Sequence, residues 1–178
     1  MIEIQSFEPK YESEVIDLIV SIQNGEFGLP ITAEDQPDLR IIPAFYQTRN
    51  GDFLVALSEQ KVVGTISLKD IGNGQGALRK MFVAAPFRGK EHGLGGRLLR
   101  RLVTDAAQHG ISEVFLGTTR RMLGAHRFYE KNGFREVTVE DLPKTFPQTG
   151  FDDKFYALRR DEFLALVATA SQEAATTV

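Results

Sequence analysis

The apolar patterns along this 178-residue chain predict a mixed α/β fold: a mostly antiparallel central sheet with helices packed on it. Three observations carry that expectation. Two runs rich in β-branched and apolar residues, Phe53 to Leu57 and Lys61 to Leu68, are parted only by Ser58-Glu59-Gln60 and read as a hairpin. Asn73-Gly74 then supplies the strongest short hairpin signal, because both residues tolerate positive φ, and a third antiparallel strand follows over Ala77 to Val83. Glu113 to Thr118 is apolar without alternation, as in a strand buried on both faces of a parallel pair, and it comes after a glycine loop and a helix. That order is a βαβ unit.

The remaining elements follow in chain order. Ile2, Ile4 and Phe7 mark a short strand ended by Glu8-Pro9. Val15, Leu18, Ile19 and Ile22 share one helical face and predict a helix over about Tyr11 to Gln23, stopped by Gly25, Gly28 and Pro30. Ile31 to Asn50 is broken by Pro37 and Pro43 and reads as a connection with a short helix near Pro43 to Thr48, the kind of segment that carries binding residues. Beyond Pro86 lies the glycine loop Arg88 to Gly96, and Leu94, Leu98, Leu102 and Ala106 mark a helix closing at His109-Gly110. A second helix, about Met122 to Asn132, is expected to bury Ala125, Phe128 and Tyr129. Strands near Phe134 to Val139 and Lys154 to Arg159 complete the sheet. Residues 1–160 are read as a single domain, and 161–178 as a short helix with a frayed tail from Ser171 onward.

Composition narrows the chemistry. With 42% hydrophobic and 25% charged residues the chain is an ordinary soluble globular type. It has no cysteine, which excludes disulfides, thiolate metal sites and a cysteine nucleophile. His92, His109 and His126 fall at no metal-ligand spacing, so no metal is expected. Twenty-one basic residues against 24 acidic leave a net −3, which argues against nucleic acid and requires any anionic ligand to be bound locally. Neither a secretory signal nor a membrane-spanning apolar run is present, and the expectation is a cytoplasmic protein.

A strand that delivers the chain into glycines opening a helix suits phosphate, since unpaired amide N–H groups and the helix dipole both point at the ligand. The loop Arg88-Gly89-Lys90-Glu91-His92-Gly93-Leu94-Gly95-Gly96 fails the dinucleotide fingerprint, which needs glycine at Leu98, and it cannot hold the P-loop pattern.

The run Met81-Phe82-Val83, Pro86-Phe87-Arg88-Gly89-Lys90 and Gly93-Leu94-Gly95, followed by Arg127-Phe128-Tyr129-Glu130-Lys131-Asn132-Gly133-Phe134, resembles the GCN5-related N-acetyltransferase (GNAT) family. The family's pyrophosphate motif reads here as Lys90 to Gly95, with lysine in its first place and two residues more than usual ahead of the glycines. The resemblance implies a GNAT-like sheet with a splayed parallel strand pair and acetyl-CoA wedged in the splay. It assigns the cofactor to Met81, Phe82, Val83, Arg88, Gly89, Lys90, Glu91, His92, Gly93, Leu94, Gly95 and Gly96, with a backbone N–H of Met81 to Val83 on the thioester oxygen. Tyr129 becomes the acid that protonates the leaving thiolate. His92 is read as serving through its backbone amide, His126 as a helix-surface residue and His109 as facing its helix C-terminus.

Arg97, Arg100 and Arg101 are read as a solvated face, although one of them or Arg88 could reach the cofactor's 3′-phosphate. Met122 stands where many relatives carry a cofactor-contacting asparagine, and Arg79-Lys80 where they often carry a glutamate base. The base is therefore open, with Glu26, Glu34, Asp35 and Asp70 unranked. The implied activity is acetyl transfer from acetyl-CoA to a primary amine, small-molecule or peptide, by direct attack in a ternary complex; a homodimer stays open. Two other readings remain: a non-catalytic acyl-CoA sensor or interaction module, and a phosphate-loop enzyme for nucleotides. The acceptor pocket should come from the first helix, the Gly25 to Asn50 connection and the last strands. The acids Glu34, Asp35 and Asp38 there suit either a cationic acceptor or a solvated loop.

Overall fold

The computed structural model describes residues 1–176. Its sheet has seven strands in the order β1-β2-β3-β4-β5-β7-β6: β1 (Ile2–Ser6), β2 (Asp52–Ser58), β3 (Lys61–Gly72), β4 (Gln75–Val83), β5 (Glu113–Thr118), β6 (Arg135–Val137) and β7 (Lys154–Leu158). Neighbours are antiparallel except β4 and β5, which run parallel. Asn73 and Gly74 both take positive φ, 56° and 70°, so the turn between β3 and β4 is the one their side chains favour.

Alternation along the strands divides the core between two faces. Leu54 and Ala56 of β2, Leu116 of β5 and Tyr156 of β7 pack with α3 (Leu94–Gln108), while Phe53, Val55 and Leu57 pack with α1 (Glu12–Val20) and α2 (Ile42–Phe45). Helix α3 comes close to β3 because residue 64 is glycine: a Cβ there would stand 3.1 Å from Leu98 Cδ1. Helix α4 (Leu123–Lys131) and helix α5 (Arg160–Thr176) complete this first face, and Phe115 of β5 joins Leu142 and Phe146 on the second.

The first helix does not end as its periodicity predicts. It begins with a 3₁₀ turn at Pro9–Tyr11 and continues past Val20 as a π-helical stretch, Ser21–Glu26, whose wider turns bring buried Ile22 and Gln23 toward the sheet. Strand β6 stops at Val137 because Thr138 turns the chain through a capping box with Asp141. Helix α5 runs through Thr176 where the sequence reading has a tail from Ser171; Arg100 Nε on α3 pairs with Glu173 Oε2 at 2.8 Å, and Thr177 and Val178 lie outside the described residues. Among the described residues no helix is long and apolar enough to cross a membrane.

Candidate active site

The parallel pairing of β4 with β5 ends at Leu78 opposite Leu116. Beyond that point the strands part and open a cleft of about 690 Å³. One wall is Arg79 to Val83, the other Gly117 to Thr119; Tyr129 and Met122 close one side and the 22–45 and 146–152 segments the other. The divergence is built into β4, where the register with β3 slips between Thr65 and Ser67 and Lys80 takes φ 52°. Such a bulge turns the strand away from its partner. Thr65 Oγ1 donates to the Lys80 carbonyl (2.7 Å) and Ser67 Oγ to the Arg79 carbonyl (2.8 Å), so these two carbonyls stay paired where the ladder is disrupted. Past Leu78 the β5-facing edge of β4 has N–H groups released from the sheet, which can meet negative charge developing on a carbonyl oxygen.

At the mouth, the chain from Arg88 to Gly93 turns into α3. Gly93 is the left-handed N-cap residue (φ 54°), and no side chain caps the helix, so the first amides, at Leu94, Gly95 and Gly96, present an anion site. A Cβ on Gly95 would stand 3.4 Å from Phe128 Cε2 and 3.5 Å from Met81 Cε, which puts this turn against both α4 and β4. Of the residues assigned to the cofactor from sequence, Met81, Phe82, Val83 and Arg88 line the cleft. Gly89, Lys90, Glu91, His92, Gly93, Gly95 and Gly96 form the turn and helix start beside it, and Leu94 is buried beneath in the core. Arg88 is tied at the edge: its Nε donates to the Val83 carbonyl (2.6 Å) and its two terminal nitrogens grip Glu26 at 2.6 and 2.9 Å. Arg97 and Arg101 donate to the carbonyls of Ile2 and Ile4 on β1.

Tyr129 is buried among Phe128, Phe134 and Tyr156, yet it lines the cleft, and its hydroxyl hydrogen-bonds no group among the described residues. Burial pushes the phenol above its ordinary value of 10.0, so it keeps its proton at any working pH. His126 is not a surface residue: it is 8% exposed, its Nε2 meets the Thr119 carbonyl at 2.9 Å, and its ring lies against Tyr156. Ala125 and Phe128 are half-buried.

The floor carries a polar network that the sequence reading did not assemble, although it named Asp38 for a cationic acceptor or a solvated loop and noted Arg79-Lys80. Tyr46 Oη donates to Asp38 Oδ2 (2.5 Å) and accepts from Arg79 Nε (3.0 Å). Asp38 also lies 3.9 Å from Arg79 Nη2 and 3.5 Å from Lys80 Nζ, and Lys80 donates to Gln36 Oε1 (2.6 Å), which is paired with Gln23. Burial brings the Lys80 ammonium from 10.5 down to about 8 despite Asp38. The same burial raises the Asp152 carboxyl, against the pull of Thr149, Arg79 and Lys80. Asp38 is thus neither solvated nor free to attract a cation. Asp35 folds back on Thr32, Glu26 is held by Arg88, and Asp70 binds Asn50 and the Gly72 amide, so these three unranked acids have partners of their own. The available signal was Arg79-Lys80 itself: two cations in a strand that is otherwise half-buried need partners.

The family model described as "Acetyltransferase (GNAT) family" matches residues 16–134. N-acetylaspartate synthetase of Danio rerio is 37% identical over 102 residues, 56% of this chain and 36% of that protein. Aminoalkylphosphonate N-acetyltransferase of Salmonella typhimurium is 32% identical over 92 residues, 49% of this chain and 58% of that one. The chain spans little more than a third of the length of the N-acetylaspartate synthetases that it matches. Among solved structures, a GNAT-family acetyltransferase from Staphylococcus aureus superposes with a TM-score of 0.85 at 37% identity, covering 88% of this chain and 98% of that one. N-acetylglutamate synthase from Neisseria gonorrhoeae, complexed with coenzyme A and N-acetyl-glutamate, shares the fold at 19% identity and TM-score 0.68, over 90% of this chain and 35% of that one. With its splayed strands, open helix N-terminus and this match over two thirds of its length, the chain belongs to the GNAT acetyltransferase family.

Proposed function

We propose that the protein moves an acetyl group from acetyl-CoA to the primary amine of a small acceptor by direct attack in a ternary complex. The parting of β4 and β5 beside an uncapped helix N-terminus carries this reading. The left-handed Gly93 and the open amides of Leu94, Gly95 and Gly96 fit a pyrophosphate, and the gap between Met81 to Val83 and Gly117 to Thr119 fits an extended arm with its acyl end at the break. Acetyl-CoA supplies the activated acetyl group. The released β4 amides stabilise charge on its carbonyl oxygen, and Tyr129 gives the departing sulfur a proton. With no cysteine in the chain, no thiol-borne acyl intermediate forms on the protein.

The acceptor side favours an amine that also bears an anionic group. Arg79 and Lys80 share one buried carboxylate, Asp38, on the cleft floor, so a carboxylate or phosphonate there would complete their pairing. The relatives named for N-acetylaspartate and for aminoalkylphosphonate handle acceptors of that kind. Calorimetry with acetyl-CoA followed by an amine panel tests both parts: acidic amino acids and aminophosphonates against neutral and dibasic amines. No acetyl-CoA binding up to low-millimolar concentration defeats the assignment. Binding without transfer to any amine leaves a sensor, and a preference for dibasic amines refutes the charge argument.

A further inference from the structure

Direct transfer, the reading on which this inference rests, needs a group that takes a proton from the acceptor's ammonium; of the acids named from sequence, Glu26, Asp35 and Asp70 have other partners, and Glu34 does not line the cleft. The two faces of the sheet communicate where β4 and β5 part. Tyr129 reaches that opening from the α3–α4–α5 face, packed with Leu116 and Tyr156. On β5 the opposite face holds Phe115, and two residues on it holds Gly117. A Cβ at Gly117 would stand 2.6 Å from Asp152 Oδ2, 2.7 Å from its Cγ and 3.0 Å from its Cβ. The Asp152 carboxyl therefore fills the space that a side chain at position 117 would occupy.

Two bonds hold it there: Asp153 N donates to the Thr118 carbonyl (3.0 Å), and Thr149 Oγ1 donates to Asp152 Oδ2 (2.9 Å). Arg79 and Lys80 make their ion pairs with Asp38, not with Asp152. The charged and titratable groups that act on Asp152 are Arg79 and Lys80 from β4, Tyr129 from α4, and its neighbour Asp153. The carboxyl thus lies on the cleft wall, at the first residue of β5 past the parallel ladder, on the face opposite Tyr129.

We propose that Asp152 is the catalytic base, taking the proton from the acceptor's ammonium on one face of the break while Tyr129 serves the sulfur on the other. The neutral amine's lone pair then forms the C–N bond to the thioester carbonyl carbon, and the C–S bond breaks. The sulfur takes the Tyr129 proton, and the surplus proton on nitrogen restores the phenol. The proton on Asp152 leaves to solvent, so one ammonium and one thioester become one amide, one thiol and one proton. A carboxyl whose proton affinity is raised by burial is better matched to this step than an exposed one.

The test compares the wild-type chain with Asp152→Asn and Thr149→Val, using an amine that the wild type acetylates. Asp152→Asn should lower kcat/KM about a hundredfold or more at neutral pH and abolish the acid limb of its pH profile, with acetyl-CoA affinity unchanged. Thr149→Val, which loses the donor that favours the carboxylate, should move that limb to higher pH. In the free enzyme the carboxyl ¹³C resonance lost in Asp152→Asn should titrate above the ordinary aspartate range, and higher again in Thr149→Val. Turnover within threefold of wild type with the limb unmoved overturns the proposal, as does a raised KM with kcat and the limb intact, which would make Asp152 an ammonium anchor. If Asp152→Asn does not fold, an unmoved limb in Thr149→Val overturns it alone. A wild type that acetylates no amine defeats the functional reading instead.

Discussion

Replacing Lys80 with methionine should stabilise the protein at neutral pH while weakening its hold on an anionic acceptor. The Lys80 side chain is 9% exposed, with Nζ 2.6 Å from Gln36 Oε1 and 3.5 Å from Asp38 Oδ2. Burial outweighs the attraction of Asp38 and takes the ammonium from 10.5 to about 8. At 1.36 kcal/mol per tenfold change in proton affinity, that drop is a cost of roughly 3 kcal/mol wherever both the folded and unfolded chains carry the charge. Below pH 8 both are protonated and the cost is complete. Between about 8 and 10.5 the unfolded chain binds more protons than the folded one, so stability rises with pH and the cost disappears.

Methionine keeps the apolar stem and removes the ammonium. Asp38 keeps Tyr46 and Arg79, and Gln36 keeps Gln23, so the lost Lys80 hydrogen bond takes back only about 1 kcal/mol. The net expectation is a gain of about 2 kcal/mol at pH 7 that fades through the alkaline range. Urea unfolding of both proteins at pH 7, 9 and 10.5 measures it. A variant less stable than wild type at pH 7, or a difference that does not change with pH, refutes the reasoning. In parallel, KM for an anionic amine should rise about tenfold, with acetyl-CoA affinity kept.

Three further outcomes follow from the same geometry. Tyr129→Phe should leave acetyl-CoA affinity within twofold by calorimetry and lower kcat about a hundredfold; unchanged turnover returns the residue to the aromatic core. Gly95→Asp puts a carboxylate on the first turn of α3, against Phe128 and Met81, so coenzyme A binding should weaken about tenfold or more in a chain that still folds by circular dichroism, and unaltered binding would remove the helix start from the cofactor site. Gly51→Ala should cost more than about 2 kcal/mol, since its Cβ would collide with the backbone carbonyls of Tyr46 and Leu68; Gly25→Ala meets nothing within 4 Å and should be neutral or stabilising in the same denaturation assay.

What the sequence revealed divides by the range of the interactions. The β3–β4 turn was legible because Asn73 and Gly74 carry their own conformational preference, and the parallel strand because Val114 to Leu116 must be buried on both faces. The π-helical extension that carries Ile22 and Gln23 into the cleft has no local mark beyond Gly25. Nor does the bulge at Lys80, since a lysine at φ 52° is tolerated there through hydroxyls on another strand, those of Thr65 and Ser67. Glu34, Asp35 and Asp38 look alike in a segment without periodicity, and only tertiary packing turns Asp38 inward onto Tyr46, Arg79 and Lys80 while Asp35 caps Thr32.

Charge shows most sharply why the acceptor side was hard to read. A formal −3 summed over 178 residues points away from anions, and the acids of the 31–50 connection point toward a cation. Yet the field that an acceptor meets comes mainly from the groups left in the cleft after local pairing, because exposed charges beyond a Debye length are largely screened and buried ones much less so. Glu26 is spent on Arg88 and Asp35 on Thr32, while Asp38 is shared by two cations. If Asp152 must also be free of its proton to act as a base, an anionic acceptor and an ionised Asp152 compete for the same two cations. Arg79 and Lys80 would then set both the acceptor's affinity and the pH at which the base becomes available, and Lys80→Met should move the acid limb of the rate profile upward as it raises KM.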